Sequence, residues 1–284
     1  MDSWLTNEVK QLLSKPCLDI SSVIAKRLNN RIQVIKQNMD ERALTEYLVD
    51  ALDTSSLENV WGSILELLRE QNIYLHTNVR KSTKENRTGA DIGIIINRNI
   101  YQYPSKSEIH YGCLIQCKKV DINGEIGEFY HEVSSTKKTQ SSLMLDITPS
   151  SFYFIFTPSC LLDIDYSLVP VASINAGGGC QSPIWNNTGN FEYHQVLFPF
   201  LYNHHNDQIT SSTGILVVPA LAVEAQNKKG KDAKLKDILP NCMPLWYWFS
   251  ELLVAGFVGD SRQDVIDTAT NGVDFSVEIT LSNG

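Results

Sequence analysis

Apolar residues recur at roughly helical spacing from Glu8 to Leu13 and from Ile20 to Gln37, which predicts a helical lead-in at the N-terminus. Asp40 is placed to cap the next helix. In it, Ala43, Leu44, Tyr47, Leu48 and Ala51 make an apolar stripe, while Glu41, Thr45 and Asp50 mostly face elsewhere. Trp61, Ile64, Leu65 and Leu68 repeat the pattern over about Leu57 to Glu70. The period then shortens. Ile73 to Val79 alternates weakly, as a strand does, and Lys81 to Gly89 is a polar turn or hairpin loop. Ala90 to Ile96 is a β-branched run that suits a strand buried on both faces.

Tyr101 to Glu108 reads as a polar connection to a second core strand, Gly112 to Lys118, which ends in charge. A mostly polar helix is predicted from about Glu125 to Leu145, then a strongly β-prone run from Ser151 to Thr157 closed by Pro158. Further on, Ala176 to Gly179 is a turn or flexible loop, Gly214 to Pro219 a short strand, Lys228 to Lys236 a surface loop and Pro244 to Val258 a buried helix. Strand, strand, helix, strand with helices ahead predicts an α/β (α+β) fold, a central mixed β-sheet flanked by helices. There is no internal repeat. The expected division is a helical lead-in over 1–39, a core over 40–158 and a C-terminal extension over 159–284, packed on the core as one compact unit.

With 284 residues, 43% of them hydrophobic, the chain is long enough for one large core and too apolar for a disordered one. Leu245 to Val258 is interrupted by Ser250 and Glu251 and is shorter than the roughly 20 residues that span a bilayer. No membrane partner is expected. Met1-Asp2-Ser3-Trp4-Leu5 lacks the features of a secretory signal, so the cytoplasm is the expected compartment. The cysteines at 17, 113, 117, 160, 180 and 242 have no knuckle or redox spacing and read as reduced and mostly buried. A formal charge of −8 argues against a protein that coats nucleic acid nonspecifically. Basic residues nonetheless gather at Arg80, Lys81, Lys84 and Arg87, at Lys118 and Lys119, at Lys137 and Lys138, and from Lys228 to Lys236.

Side chains alternate across a strand, so Gln116 and Lys118 emerge on one face and Cys117 on the other. A polar pair at the end of an apolar strand, beside an aspartate on a neighbouring strand, suits a divalent cation and an oriented water. Phosphodiester hydrolysis has that requirement, and Mg²⁺ suits such oxygen ligands.

Gly89-Ala90-Asp91, followed roughly 25 residues on by Gln116-Cys117-Lys118, resembles the bipartite motif of the PD-(D/E)xK, restriction-endonuclease-like nucleases in the Gln-for-Glu form of the Mrr-like branch. The likeness covers about Glu41 to Pro158. It implies that Asp91 is the principal metal ligand, that Gln116 supplies a carboxamide oxygen and the backbone carbonyl of Cys117 completes the shell, and that Lys118 is the catalytic lysine. It also implies an acidic residue on the preceding helix, at Glu46 with Glu41 in reserve. Gln140 resembles the polar helper of some branches, and Lys119 faces phosphate or water. Two departures stand out: no proline precedes Asp91, and Gln116 is neutral where a carboxylate is usual. The resemblance implies an endonuclease using Mg²⁺, with Mn²⁺ as substitute, on nucleic acid, DNA favoured over RNA. A restriction or antiphage setting follows, with a helicase or sensor subunit as partner and homo-oligomers allowed. A noncatalytic nucleic-acid-binding or partner-regulated subunit is the alternative.

Other patterns are weaker. His194, His204 and His205 lack the spacing of convergent zinc ligands. Gly177-Gly178-Gly179-Cys180 is a glycine turn with no histidine fixed beside its thiol, and Ser134-Ser135-Thr136-Lys137 is an ordinary polar stretch. No GxxxxGK[ST] loop occurs, which excludes that kind of intrinsic ATPase. Leu245-Trp246-Tyr247-Trp248-Phe249 reads as core, with a partner interface as the alternative.

Overall fold

A computed structural model describes residues 4–34, 40–56, 60–82, 88–102, 105–121, 123–130, 132–133, 136–158, 214–225 and 232–283. The N-terminal lead-in is one helix, α1 (Asn7–Val34), with Pro16 inside it, where two segments were expected. It is continuous because buried Leu13, Cys17, Ile20, Ile24 and Leu28 carry the helical spacing straight past the proline. Asp40 caps α2 (Glu41–Leu52), its side chain accepting from Arg42 N at 3.1 Å. Leu44, Tyr47, Leu48 and Ala51 of the expected stripe are buried, but Ala43 is exposed and Thr45 is buried. The hydroxyl of the inward Thr45 is satisfied within the helix, donating to Glu41 O at 3.0 Å. Trp61 leads into α3 (Gly62–Glu70), its Nε1 donating to Ala51 O at 3.0 Å.

The strands β1 (Ile73–Lys81), β2 (Ile92–Gln102) and β3 (Ser105–Lys119) follow. The expected connection from Tyr101 to Glu108 is instead the tip of a long hairpin, paired out to Gln102 and Ser105. Its polar residues suit a strand because alternate ones, Asn99, Tyr101, Lys106, Glu108 and His110, share an open, exposed face. The helix expected over Glu125 to Leu145 is also corrected. There the chain forms short strands β4 (Glu125–Ile126), β5 (Glu132–Val133) and β6 (Lys138–Thr139) before α4 (Gln140–Ile147). Glu128 and Lys137 take φ of 52° and 54°, which a right-handed helix does not admit. Thr139 then starts the helix by accepting from Ser142 N at 3.1 Å.

Next come β7 (Ser151–Phe156), β8 (Ile215–Pro219) and α5 (Ala220–Ala225), then β9 (Ala233–Lys234), α6 (Leu235–Ile238) and β10 (Met243–Pro244). So the part of the expected Lys228–Lys236 loop from 232 onward holds a strand and the start of a helix, and 226–231 lies outside the described residues. The helix predicted to reach Val258 is α7 (Leu245–Tyr247), continued by a π-helical turn over Trp248–Leu253. It stops early at Gly256, whose φ of 80° a right-handed helix does not admit, and side chains meet its last carbonyls: Tyr111 Oη donates to Leu253 O and Arg98 Nη1 to Val254 O at 3.2 Å. Finally α8 (Gln263–Asn271) leads into β11 (Phe275–Asn283).

Among the described residues seven strands form one mixed sheet in the order β1-β11-β2-β3-β7-β8-β10. β11 runs parallel to β2, and β3 parallel to β7. Helices cover both faces, as an α/β fold requires. On one face Trp248 packs edge-to-face with Phe152 and Phe154 at ring separations of 5.3 and 5.2 Å, in the layer that α1, α2 and α7 share. The other face carries α4, α5 and α8, and α8 seats so closely that a Cβ on Gly93 would lie 2.0 Å from Ala269 O. Among the described residues no helix is long and apolar enough to cross a membrane, and Cys17, Cys113, Cys117 and Cys242 are buried free thiols.

Candidate active site

Asp91 occupies the bend before β2, and its backbone is tied on both sides. Its N–H donates to Ile115 O at 2.8 Å, and its C=O accepts from Phe275 N at 2.9 Å. β3 runs antiparallel alongside with Ile115 opposite Ile92, so Gln116 lies opposite Asp91. Alternation puts Asp91, Gln116 and Lys118 on the face that bears α4 and α8. Gln116 and Lys118 are only 2% and 6% exposed.

The contacts within this group are direct. Gln116 Nε2 donates to Asp91 Oδ2 at 2.7 Å and to Cys117 O at 3.1 Å, and Cys117 N donates to the same Oδ2 at 2.7 Å. Glu41 joins from the first turn of α2: its Oε1 is 3.6 Å from Lys118 Nζ, and its Oε2 accepts from Lys119 N at 3.1 Å. Burial pushes the Asp91 carboxyl up to about 7 against the pull of the Cys117 N–H; Glu41 and Asp274 push the same way, and Lys118 opposes them. Burial likewise raises Glu41, opposed by Lys118 and Lys119. Carboxylates thus crowd a poorly hydrated recess in which Lys118 is the buried cation.

The structure brings Asp91, Gln116 and Cys117 into contact, with Lys118 on the same face as Gln116 and the reserve residue Glu41 beside Lys118. Glu46 is not among them. Its Oε1 pairs with Lys81 Nζ at 2.9 Å and Arg42 Nε at 3.5 Å, and the side chain is 44% exposed. Five positions along α2 are about 140° round the helix, so Glu41 and Glu46 cannot both face β3. Lys119 contributes its backbone N–H to Glu41. Gln140 flanks the approach to Asp91: Gly89, at φ 76°, packs so that an added Cβ would be 3.1 Å from Gln140 O. The Gln140 Oε1 is buried with no hydrogen-bond partner among the described residues.

The cation implied by the family resemblance can be tested against this donor set. Asp91 Oδ2 and Cys117 O both face the Gln116 amide nitrogen, whereas Gln116 Oε1 is buried with no partner among the described residues. A buried acceptor left in this way asks for an explanation. Turning the amide over would present Oε1 beside the other two oxygens, an all-oxygen set that suits a hard cation. The residues present therefore fit Mg²⁺ through a carboxylate, a carboxamide and a carbonyl. No cluster of three or more His, Cys, Asp or Glu side chains suited to a metal occurs among the described residues.

The chain matches no protein-family model, no curated protein and no solved structure.

Sequence reasoning missed Asp274, Tyr153, Ser141 and Glu224. Asp274 precedes β11 as Asp91 precedes β2, and Phe275 is in register with Ile92, so the two acids enter parallel strands side by side. The alternation of Phe275, Val277, Ile279 and Leu281 was the available signal. Tyr153 is in register with Gln116 on the same face. The His194, His204 and His205 group, Gly177 to Cys180, Ala176, Cys160, Lys84, Arg87, Ser134 and Ser135 lie outside the described residues.

Proposed function

We propose that this protein is a metal-dependent nuclease of the PD-(D/E)xK type that hydrolyses phosphodiester bonds, with DNA favoured over RNA. The observation that carries the reading is the meeting of Asp91, Gln116 and Cys117 O at the ends of two paired strands, with Lys118 emerging on the same face. Asp91 and the Cys117 carbonyl would offer two oxygens to a cation, and Gln116 a third once its amide is turned. A bound Mg²⁺ would neutralise charge developing on the phosphate and acidify a bound water. Lys118, fixed at 3.6 Å from Glu41, brings a positive charge to the same face, where it orients the attacking water or meets a phosphate oxygen. Glu41 holds that ammonium in place. A restriction or antiphage role beside a partner helicase or sensor fits a chain without an ATP-binding loop of its own.

Purified protein offered DNA and RNA with Mg²⁺ or Mn²⁺ should cleave DNA, and Asp91→Ala and Lys118→Ala should each lower the rate at least about 100-fold. Undiminished cleavage by either variant would sink the proposal. One observation favours the noncatalytic alternative: the Asp91 carboxylate is already satisfied by an amide and a backbone N–H. That reading expects nucleic-acid binding and no cleavage with either cation.

A further inference from the structure

Glu224, a carboxylate with no part in the chemistry above, anchors the structure behind this site. It lies on α5 and accepts from Thr139 Oγ1 at 3.0 Å and from Ser141 Oγ. Both hydroxyls belong to the first turn of α4 and lie 3.0 Å apart, and Thr139 is the cap of that helix. Ser141 and Thr139 are buried, while Glu224 is half-buried. Buried hydroxyls need an acceptor, and a charged one bonds more strongly than a neutral one. A carboxylate beside a helix N-terminus also meets a favourable dipole.

Two paths lead from there to Asp91. Gln140, between the two hydroxyl residues, rests its backbone on Gly89, two residues before Asp91. Tyr153 stands beside Gln116 in register, wholly buried, with its ring 5.0 Å from Phe129. Its hydroxyl is buried with no hydrogen-bond partner among the described residues, and burial holds the phenol well above the usual range, with Ser141 working against this and the charges of Glu224 and Asp91 adding to it.

We infer that Glu224 is a positioning residue for the candidate active site: through Thr139 and Ser141 it fixes the start of α4 and the surroundings of the Tyr153 hydroxyl, the backing against which Gln116 and Asp91 keep their geometry. The inference rests on the nuclease reading.

Three variants of the full chain test it: Glu224→Ala, which removes the acceptor that both hydroxyls share; Glu224→Gln, which keeps an acceptor oxygen; and Tyr153→Phe. Glu224→Ala should lower kcat about 10- to 100-fold with KM within about threefold, and Glu224→Gln should stay within about threefold of the parent. The Mn²⁺ concentration for half of the thermal-shift response should rise about tenfold in Glu224→Ala and return in Glu224→Gln. Tyr153→Phe should lower kcat at least about threefold without lowering Tm, since it removes a buried hydroxyl but keeps the ring. Parental kcat and Mn²⁺ response in Glu224→Ala would overturn the inference, as would equal damage in Glu224→Gln. If Glu224→Ala does not fold, parental kcat and Mn²⁺ response in Tyr153→Phe overturn it. A parent that cleaves nothing, yet whose Mn²⁺ response shifts in Glu224→Ala and recovers in Glu224→Gln, sinks the nuclease reading alone. A parent with neither cleavage nor response to Mn²⁺ sinks both.

Discussion

At Gln116 the chemistry turns on which end of one carboxamide faces Asp91. The nitrogen does so here, donating at 2.7 Å, so the metal-free site is held by a neutral hydrogen bond where the usual motif would set two carboxylates together. Gln116→Glu should therefore do two opposite things. In chelator it loses those donors and opposes Asp91 with like charge, lowering stability by about 2 kcal/mol; with Mn²⁺ it adds an anionic ligand and lowers the half-saturating concentration about tenfold. Thermal melts with and without the cation read both effects, and an unchanged melt in chelator would mean that the amide does not hold Asp91. A second expectation separates two acids on one helix. Glu41→Ala frees Lys118 and should cut cleavage at least about tenfold, whereas Glu46→Ala, which loses only exposed pairs with Lys81 and Arg42, should leave it within about twofold. Equal effects in one cleavage assay would refute the assignment. Asp91, Gln116 and Lys118 were legible because strand alternation is strict and local. The choice between Glu41 and Glu46 was not, since it depends on the angle at which α2 crosses the sheet, and no residue of α2 encodes that alone.

Elements were legible where burial repeats at a fixed period and were lost where the backbone departs from it. β2, β3, β7 and β8 announce themselves through β-branched and aromatic runs, but the stretch from Glu125 to Thr139 has helix-compatible residues held in a non-helical path by the positive φ of Glu128 and Lys137. Packing of α8 is similarly silent in sequence, although it rests on one position. An added methyl at Gly93 would meet Ala269 O at 2.0 Å, so Gly93→Ala must displace the helix and should cost at least about 3 kcal/mol in urea unfolding. An unchanged urea midpoint would mean that α8 does not seat there. The loop before α8 carries a pH dependence of its own. Burial works against ionisation of Asp260, but bonds from Arg262, at 2.9 Å, and Thr148, at 2.8 Å, outweigh it and hold the carboxyl below its ordinary 3.8. A carboxylate depressed in the folded state stabilises fully above its unfolded value and loses that contribution as pH falls through the folded one. Asp260→Asn should thus lower the urea midpoint at neutral pH and differ less from the parent at about pH 3. An equal difference at both would exclude this linkage.

On the scale of the whole molecule, the two halves of the chain interleave in one sheet. Among the described residues β1 pairs only with β11, and β11 lies between β1 and β2, so residues 275–283 join two strands that are close in sequence but not adjacent in space. At the other side β8 covers the edge of β7. The alternation of Phe275 to Leu281 was a strand signal that the sequence reading passed over, and its place in the sheet was not legible at all, because register between distant segments is set by the assembled hydrophobic face and not by either segment alone. Asp274 reaches the site by the same route, and Glu224 acts from α5, so the chemistry of the first half depends on the second. This has a direct consequence for any shortened form. A chain ending at Pro158 contains Asp91, Gln116, Lys118 and Glu41, yet it leaves β1 without its partner and the apolar strands β2 and β7 each with an unpaired edge. It should show no cooperative thermal transition and no Mn²⁺ response, and a separately supplied 214–284 fragment should restore part of both. Cooperative unfolding of the shortened chain by itself, followed by circular dichroism, would show that the first half carries its own core and that β11 is dispensable to the site.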